Sequence, residues 1–315
     1  MSEILICGSS GFIGSNLAAK LESEGHFVTG IDIEYPKHYK PKEFYQRDLR
    51  YVGEDVFGRN RFSEIYNLHC LMGGMGFIGD EAKYGYEIGI GSTQMLINSI
   101  EWTRKYQPTS KVFYSSSACV YNQELQTDSN VVALKESDAI PASPDLLYGW
   151  QKLYAEKMFE ASGLDVRIAR FHNVFGKWGA YDGGKEKAPA ALCRKIAMAK
   201  DMEEIEVWGT GEQTRSFLHI DEALKGIERL MNSDYCKPLN LGSDELISIN
   251  DLAKMIISIS GKLLRIKNID GNVGVQGRNS DNTLIYEKLK WKPSDKLFFG
   301  IGHTYRWIEK QIKNG

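Results

Sequence analysis

Short apolar runs alternate with longer amphipathic stretches through the first two thirds of the chain. Residues 3–7 are an apolar run, residues 8–14 are rich in glycine, and residues 17–21 resume with helical spacing, which predicts a strand, a tight turn and a helix. Further strands are predicted at residues 27–33, 64–68, 111–115, 165–170 and 238–241, with helices at 92–106 and 148–161. Alternation of this kind predicts an α/β fold with a parallel sheet covered by helices. Residues 171–214 are less regular, with Gly183-Gly-Lys-Glu-Lys-Ala-Pro189 ahead of a helix that runs through Lys200. Residues 247–315 read as a helix, a strand and a terminal amphipathic helix. Both segments fall outside the alternation. We therefore assign residues 1–170 with 216–243 to one domain and residues 171–215 with 244–315 to a smaller C-terminal substrate-binding lobe, with the site in the cleft between them.

A chain of 315 residues can bury a large core, so nothing but the pattern is needed to expect a folded protein. Charge narrows the partners. Lys and Arg number 39 against 41 Asp and Glu, a net charge of -2, so no basic field exists to gather nucleic acid or a membrane surface. The five cysteines, at 7, 70, 119, 193 and 236, are odd in number and widely spaced, which argues against a disulfide framework or a structural zinc site and for a reducing, cytoplasmic setting. No apolar run approaches the roughly 18 to 20 residues of a membrane helix, and Met1 leads almost at once into a strand instead of a signal peptide.

The glycine-rich turn carries the first chemical signal. In Gly8-Ser-Ser-Gly11-Phe12-Ile13-Gly14 the glycines fall where a strand must turn sharply into a helix, letting backbone N–H groups approach a pyrophosphate at the positive helix end. Asp32 closes the second strand, where a carboxylate can accept hydrogen bonds from a ribose diol. Together these predict a Rossmann-type doubly wound sheet that binds a dinucleotide. Asp32 would repel a 2'-phosphate and no Arg follows it directly, so NAD is favoured over NADP. Asp48 and Leu49 are placed beside the adenine.

The second signal is Tyr148-Gly-Trp-Gln-Lys152, a phenol and an ammonium four residues apart and hence on one helical face. A neighbouring lysine lowers the phenol's pKa and makes tyrosinate an accessible base near neutrality. Alone, such a pair is commonly a solvated one. Here it follows a nucleotide-binding half and is preceded by Ser115-Ser-Ser117-Ala-Cys119 at a strand end. His172 and His219 lie in apolar sequence with no metal-binding spacing around them, so they are read as packing residues and no metal is expected.

With these residues in place, the chain resembles the extended short-chain dehydrogenase/reductase family of nucleotide-sugar enzymes over nearly its whole length. That resemblance implies that Tyr148 removes the proton of the hydroxyl on sugar carbon 4, that Lys152 is its electrostatic partner and anchors the nicotinamide ribose, and that Ser117 orients the oxygen. Six further blocks resemble the GDP-mannose 3,5-epimerases within it: Met72-Gly-Gly74-Met75-Gly-Phe-Ile78, Ser116-Ser-Ala-Cys-Val-Tyr121, Arg170-Phe-His-Asn173, Gly183 to Ala190, Thr214-Arg-Ser-Phe217 and Gly277-Arg-Asn-Ser-Asp-Asn282. On this resemblance Cys119 and Lys187 are the acid/base pair, while Asn173, Lys195, Gln213, Arg215 and Arg278 contact a GDP-sugar. Arg215 and Arg278 suit its diphosphate, because a guanidinium binds phosphate in a fork. The glycines around Gly74 and Met75 let the backbone come close to the sugar.

The 4,6-dehydratases of the family carry an acidic pair where this chain has Ala118 and Cys119, which argues against a dehydratase. The chain departs from the epimerase pattern at His69-Cys70-Leu71, Asn122 and Gln276. Those positions leave open a modified manno-sugar such as a heptose. Two other readings stand beside the epimerase: a 4-dehydrogenase or 4-epimerase of a GDP-sugar, and a non-catalytic NAD-binding sensor, against which the intact Ser117, Tyr148 and Lys152 weigh. Family resemblance also implies a homodimer through the helices near residues 92–102 and 148–159.

Overall fold

The computed structural model describes residues 1–314. Its central sheet has seven strands in the order Leu239–Leu241, Asp165–Phe171, Lys111–Ser117, Glu64–Asn67, Glu3–Cys7, Phe27–Asp32 and Glu43–Gln46. Every neighbouring pair in it is parallel. This is the doubly wound α/β sheet that the alternation predicts. Its strands are covered on both faces, which is why Ile4, Leu5, Ile6 and Cys7 form an unbroken buried run instead of alternating. The chain builds outward from Glu3–Cys7 first to one side and then to the other. Strand order therefore reverses between Glu3–Cys7 and Glu64–Asn67, and a crevice opens at the carboxyl ends there.

Six of these strands were expected; Glu43–Gln46 was not. It is an edge strand of four residues, Glu-Phe-Tyr-Gln, with no apolar run and no fully buried position. Its place comes from pairing with Phe27–Asp32 and from Thr29 Oγ1 donating to Glu43 Oε2 at 3.0 Å.

The two largest hydrophobic clusters mark the two halves of the molecule. One joins the sheet to the helices Phe12–Ser23 and Ile220–Met231 through residues such as Ile6, Leu17, Phe113, Ile227 and Leu239, and it also takes in Ile285 and Trp291. The other gathers Leu192, Ile196, Ile205, Leu252, Ile256, Ile301 and Ile308 from the helices Ala188–Met198, Ile249–Ser260 and Leu297–Asn314 and the strand Glu204–Trp208. Helix Ala188–Met198 begins with Pro189 in its first turn, where no backbone donor is missed. It ends against Lys262, whose Nζ donates to the carbonyls of Ile196, Ala197 and Ala199 at 2.6–2.8 Å.

One buried ion pair holds the helix Leu147–Ala161 to the sheet. Glu156, fully buried on that helix, accepts from Arg170 Nε at 2.9 Å and Nη2 at 2.8 Å and from the Ser116 hydroxyl. Arg170 and Ser116 lie on adjacent strands. Tyr148 and Lys152, two turns and one turn before Glu156, are thereby fixed over the carboxyl end of Lys111–Ser117.

Candidate active site

A single cleft of about 1420 Å³ opens at the carboxyl ends of the strands and runs to the second core, and every site residue singled out from the sequence lines it. At one end lies the glycine turn. Gly8 has φ +90°, and a Cβ there would stand 2.9 Å from the His69 nitrogen. A Cβ on Gly14 would stand 2.1 Å from the Gly8 carbonyl oxygen, so the turn closes only because both are glycine. Gly11 caps the helix Phe12–Ser23 with no side chain in the way. The result is a cradle of free N–H groups at a helix N-terminus, the shape and polarity a dinucleotide diphosphate requires. Asp32 braces the turn by accepting from the backbone N–H of Ser10 at 2.9 Å and of Glu34 at 3.0 Å. Burial raises its carboxyl pKa, against the lowering effect of those donors. Asp48 is placed differently from a free ligand: its carboxylate pairs with Arg50 at 2.6 Å, which holds it below the usual range, while the buried Leu49 faces the cleft beside it.

The middle of the cleft holds the reacting groups. Lys152 is 2% exposed, donates from Nζ to the Ser115 carbonyl at 2.7 Å and lies 5.8 Å from the centre of the Tyr148 ring. Burial pushes the Tyr148 phenol well above its ordinary pKa, reinforced by Cys70 and Cys119, and the Ser117 hydroxyl opposes this. A near-neutral tyrosinate, expected from the Tyr–Lys spacing, is thus not met by the chain alone. Desolvation outweighs a lysine held to a carbonyl. Ser117 also accepts from the Cys119 N–H at 3.2 Å, so one hydroxyl braces the turn that carries the cysteine and faces the phenol.

Cys119 is buried, and Arg278 Nη1 donates to its Sγ at 3.2 Å. Lys187, from the segment ahead of the helix Ala188–Met198, lines the same cleft near Cys119. It stands at the N-cap of the helix Ala188–Met198, where the helix dipole disfavours a cation, and burial lowers its pKa to about 8 while Cys119 pulls it up. Its Nζ donates to the Val174 carbonyl at 3.3 Å. The segment carrying it packs on the Met72–Gly76 glycines, with the Gly74 N–H donating to the Lys185 carbonyl at 3.0 Å.

Beyond these, the cleft is lined by polar groups held to the main chain. Asn173, with φ +43°, donates to the Ser216 carbonyl at 3.0 Å, Gln213 to that of Trp208 at 2.9 Å and Lys195 to that of Glu206 at 2.8 Å. The two arginines differ. Arg215 donates to the carbonyls of Thr214, Val273 and Val275 and forms no ion pair among the described residues, and burial together with Arg278 lowers its pKa to about 10. Arg278 is fully engaged with Gln126, Cys119 and Asp145. Asp145 is a cleft residue that the sequence reading missed; its only signal was an acid three positions ahead of the tyrosine.

His172 and His219 sit as packing residues. Burial lowers His172 to about 3, with Nε2 against Asn240 Oδ1 at 2.9 Å, and His219 packs edge-on to Phe175 and His303. His69, in the departing segment, is likewise buried, lowered to about 3 and bonded to Ser99 at 3.0 Å.

Residues 4–242 match the NAD dependent epimerase/dehydratase family. The chain is 43% identical to GDP-mannose 3,5-epimerase 1 of Oryza sativa subsp. indica, covering 98% of this chain and 82% of that protein. It is 42% identical to GDP-mannose 3,5-epimerase of Arabidopsis thaliana, covering 99% and 83%. Among solved structures, UDP-glucose 4-epimerase of Thermotoga maritima shares the fold with a TM-score of 0.82 at 22% identity, over 98% of this chain and 99% of that one. A glycine cradle at the switch point, a buried Tyr–Lys pair at the next strand end and these likenesses lead to one assignment: the chain is an enzyme of the NAD dependent epimerase/dehydratase family.

Proposed function

We propose that this enzyme is a GDP-mannose 3,5-epimerase. The observation that carries the proposal is the convergence of Cys119 and Lys187 in one cleft beside Tyr148, since epimerisation needs both a base and an acid at the reacting carbon. Tyr148 takes the proton of the carbon 4 hydroxyl, Ser117 orients that oxygen, and Lys152 supplies a fixed positive charge. The Gly8–Gly14 cradle and Asp32 would hold NAD, which would supply a reversible hydride acceptor for carbon 4. With carbon 4 a ketone, the protons on carbons 3 and 5 become acidic, because each carbanion is delocalised as an enolate. Cys119 removes such a proton, and Lys187, largely an ammonium at neutral pH, delivers one to the other face.

Arg215, a guanidinium with only neutral partners, is assigned to the diphosphate, with Asn173, Lys195 and Gln213 around the rest of the nucleotide sugar and the backbone at Gly74 and Met75 against the ring. Residues 1–170 with 216–243 hold the cofactor, and 171–215 with 244–315 the substrate. We place the enzyme in the cytoplasm as a homodimer. Leu147, Trp150 and Tyr154 recur on one helical face and are exposed, and Leu147 packs on Gly89 next to the exposed Tyr86 and Ile90. No helix among the described residues is long and apolar enough to cross a membrane.

Incubation with GDP-mannose and NAD in heavy water tests the reaction. Deuterium at carbons 3 and 5 with new GDP-hexose isomers is expected. An unlabelled, unchanged sugar from protein that binds NAD would remove GDP-mannose and turn attention to manno-heptoses, which the cleft-lining His69-Cys70-Leu71 segment leaves room to consider.

A further inference from the structure

We propose that Tyr114 is a positioning residue for Lys152: the face of its ring takes the place of a counter-ion and holds the ammonium beside Tyr148. The inference rests on Lys152 acting as the charged partner of Tyr148, and not on which sugar the cleft takes.

A buried charge needs a partner of opposite polarity. Lys152 is 2% exposed and forms no ion pair among the described residues; its hydrogen bond runs from Nζ to the Ser115 carbonyl at 2.7 Å. The acid one turn further along its helix, Glu156, is taken by Arg170 and Ser116. Burial raises the phenols of Tyr148 and Tyr114 well above their ordinary pKa, so neither is an anion beside it. What faces the ammonium instead is a π surface. Nζ stands 4.9 Å from the centre of the Tyr114 ring and over it, closer than the 5.8 Å to the ring of Tyr148. A ring face carries negative charge, and its attraction for a cation is strongest where water is excluded.

The fold fixes both members. Tyr114 and Ser115 are consecutive on the strand Lys111–Ser117, so one side chain and the next carbonyl grip the same ammonium. Lys152, Ala155 and Phe159 recur on one face of the helix Leu147–Ala161, and Ala155 and Phe159 share a buried cluster with Tyr114. The Phe159 ring packs on that of Tyr114 with 4.7 Å between centres, and Leu96 and Ile100 join the cluster from the helix Ser92–Tyr106. The ring is therefore held by packing, and the ammonium by the ring.

Ring electronics separate this role from packing. In the full-length enzyme at saturating NAD, position 114 is made phenylalanine, para-fluorophenylalanine and pentafluorophenylalanine, each with Lys152 and with Lys152→Met, and the unfolding constant is read from urea denaturation. Fluorine makes the ring more apolar but drains its face of negative charge, so packing and cation binding predict opposite orders. With Lys152 present the unfolding constant should rise along the series, by about tenfold from Tyr114→Phe to the pentafluoro ring. With Lys152→Met the rise should vanish. An equal change in both backgrounds, or none with Lys152, overturns the proposal. Should the pentafluoro or Lys152→Met variants fail to fold, the para-fluoro ring beside Lys152 decides, and an enzyme carrying it that is as stable as Tyr114→Phe overturns the proposal. With GDP-mannose added, formation of bound NADH should slow in the same order, and equal rates overturn the positioning role. No NADH from the wild-type enzyme marks a failure of the sugar assignment alone, and the unfolding constants then decide.

Discussion

Gly74 and Glu186 meet in the lining of the cleft so closely that a Cβ on Gly74 would stand 2.3 Å from the Glu186 carbonyl oxygen and 3.7 Å from the Lys187 Cα. Two segments more than a hundred positions apart in sequence thus share one wall, and the position of Lys187 depends on the absence of a side chain at Gly74. Gly74→Ala should displace the 185–187 segment and cost about 10²-fold in deuterium exchange at the sugar carbons, the penalty of a misplaced acid. NAD affinity should not change. Exchange at the wild-type rate in Gly74→Ala would remove the dependence.

The depressed pKa of Lys187 has a definite consequence for pH dependence. The ammonium predominates below about 8 and the neutral amine above it. A group that must deliver a proton is therefore lost as pH rises through that value, and the initial rate should fall on the alkaline side with a midpoint near 8. Lys187→Arg, which stays charged, should lower the rate but carry no limb there. Rate profiles from pH 6 to 10 with buffer controls would decide it, and an unchanged alkaline limb in Lys187→Arg would assign the ionisation to another group.

Helix placement rests on Glu156. Its carboxylate is fully buried against Arg170 and Ser116, and removing one partner of such a pair leaves an uncompensated charge. Glu156→Gln should cost about 3–5 kcal/mol of stability. Urea denaturation should show a lower midpoint at unchanged slope, and hydride transfer should weaken too because Tyr148 and Lys152 ride on the same helix. A midpoint equal to wild type would mean that the pair does not anchor the helix.

The exposed face of that helix carries the assembly prediction. Trp150 is 49% and Tyr154 57% exposed, both large apolar surfaces one turn apart. Trp150→Asp should convert a dimer to a monomer in analytical ultracentrifugation while the monomer still binds NAD. Wild-type enzyme that sediments as a monomer at every concentration would refute the dimer.

Much of this architecture was legible in the chain because its carriers are local. The turn Gly8–Gly14 is set by glycines whose missing Cβ atoms permit one backbone path, and the Tyr148–Lys152 pair by helical periodicity; neither needs a distant partner to be recognised. Glu43–Gln46 stayed hidden because an exposed edge strand has no apolar run and takes its order from its neighbour. The sequence also misjudged electrostatics. It could place a lysine near Tyr148, but the burial that raises the phenol's pKa comes from residues brought over it by folding.

Most of all, sequence ordered the functional residues without relating them. Asp145, Arg278 and Cys119 are far apart in the chain and meet only where the strand Gly277–Arg278, in register with Thr214–Ser216, turns its arginine toward the loop after Lys111–Ser117. Residue types and local spacing determine which chemistry is available. Desolvation and ion pairing, which depend on contacts between remote segments, decide which arginine has only neutral partners, which donates to a thiol, and which lysine has its pKa lowered toward neutrality.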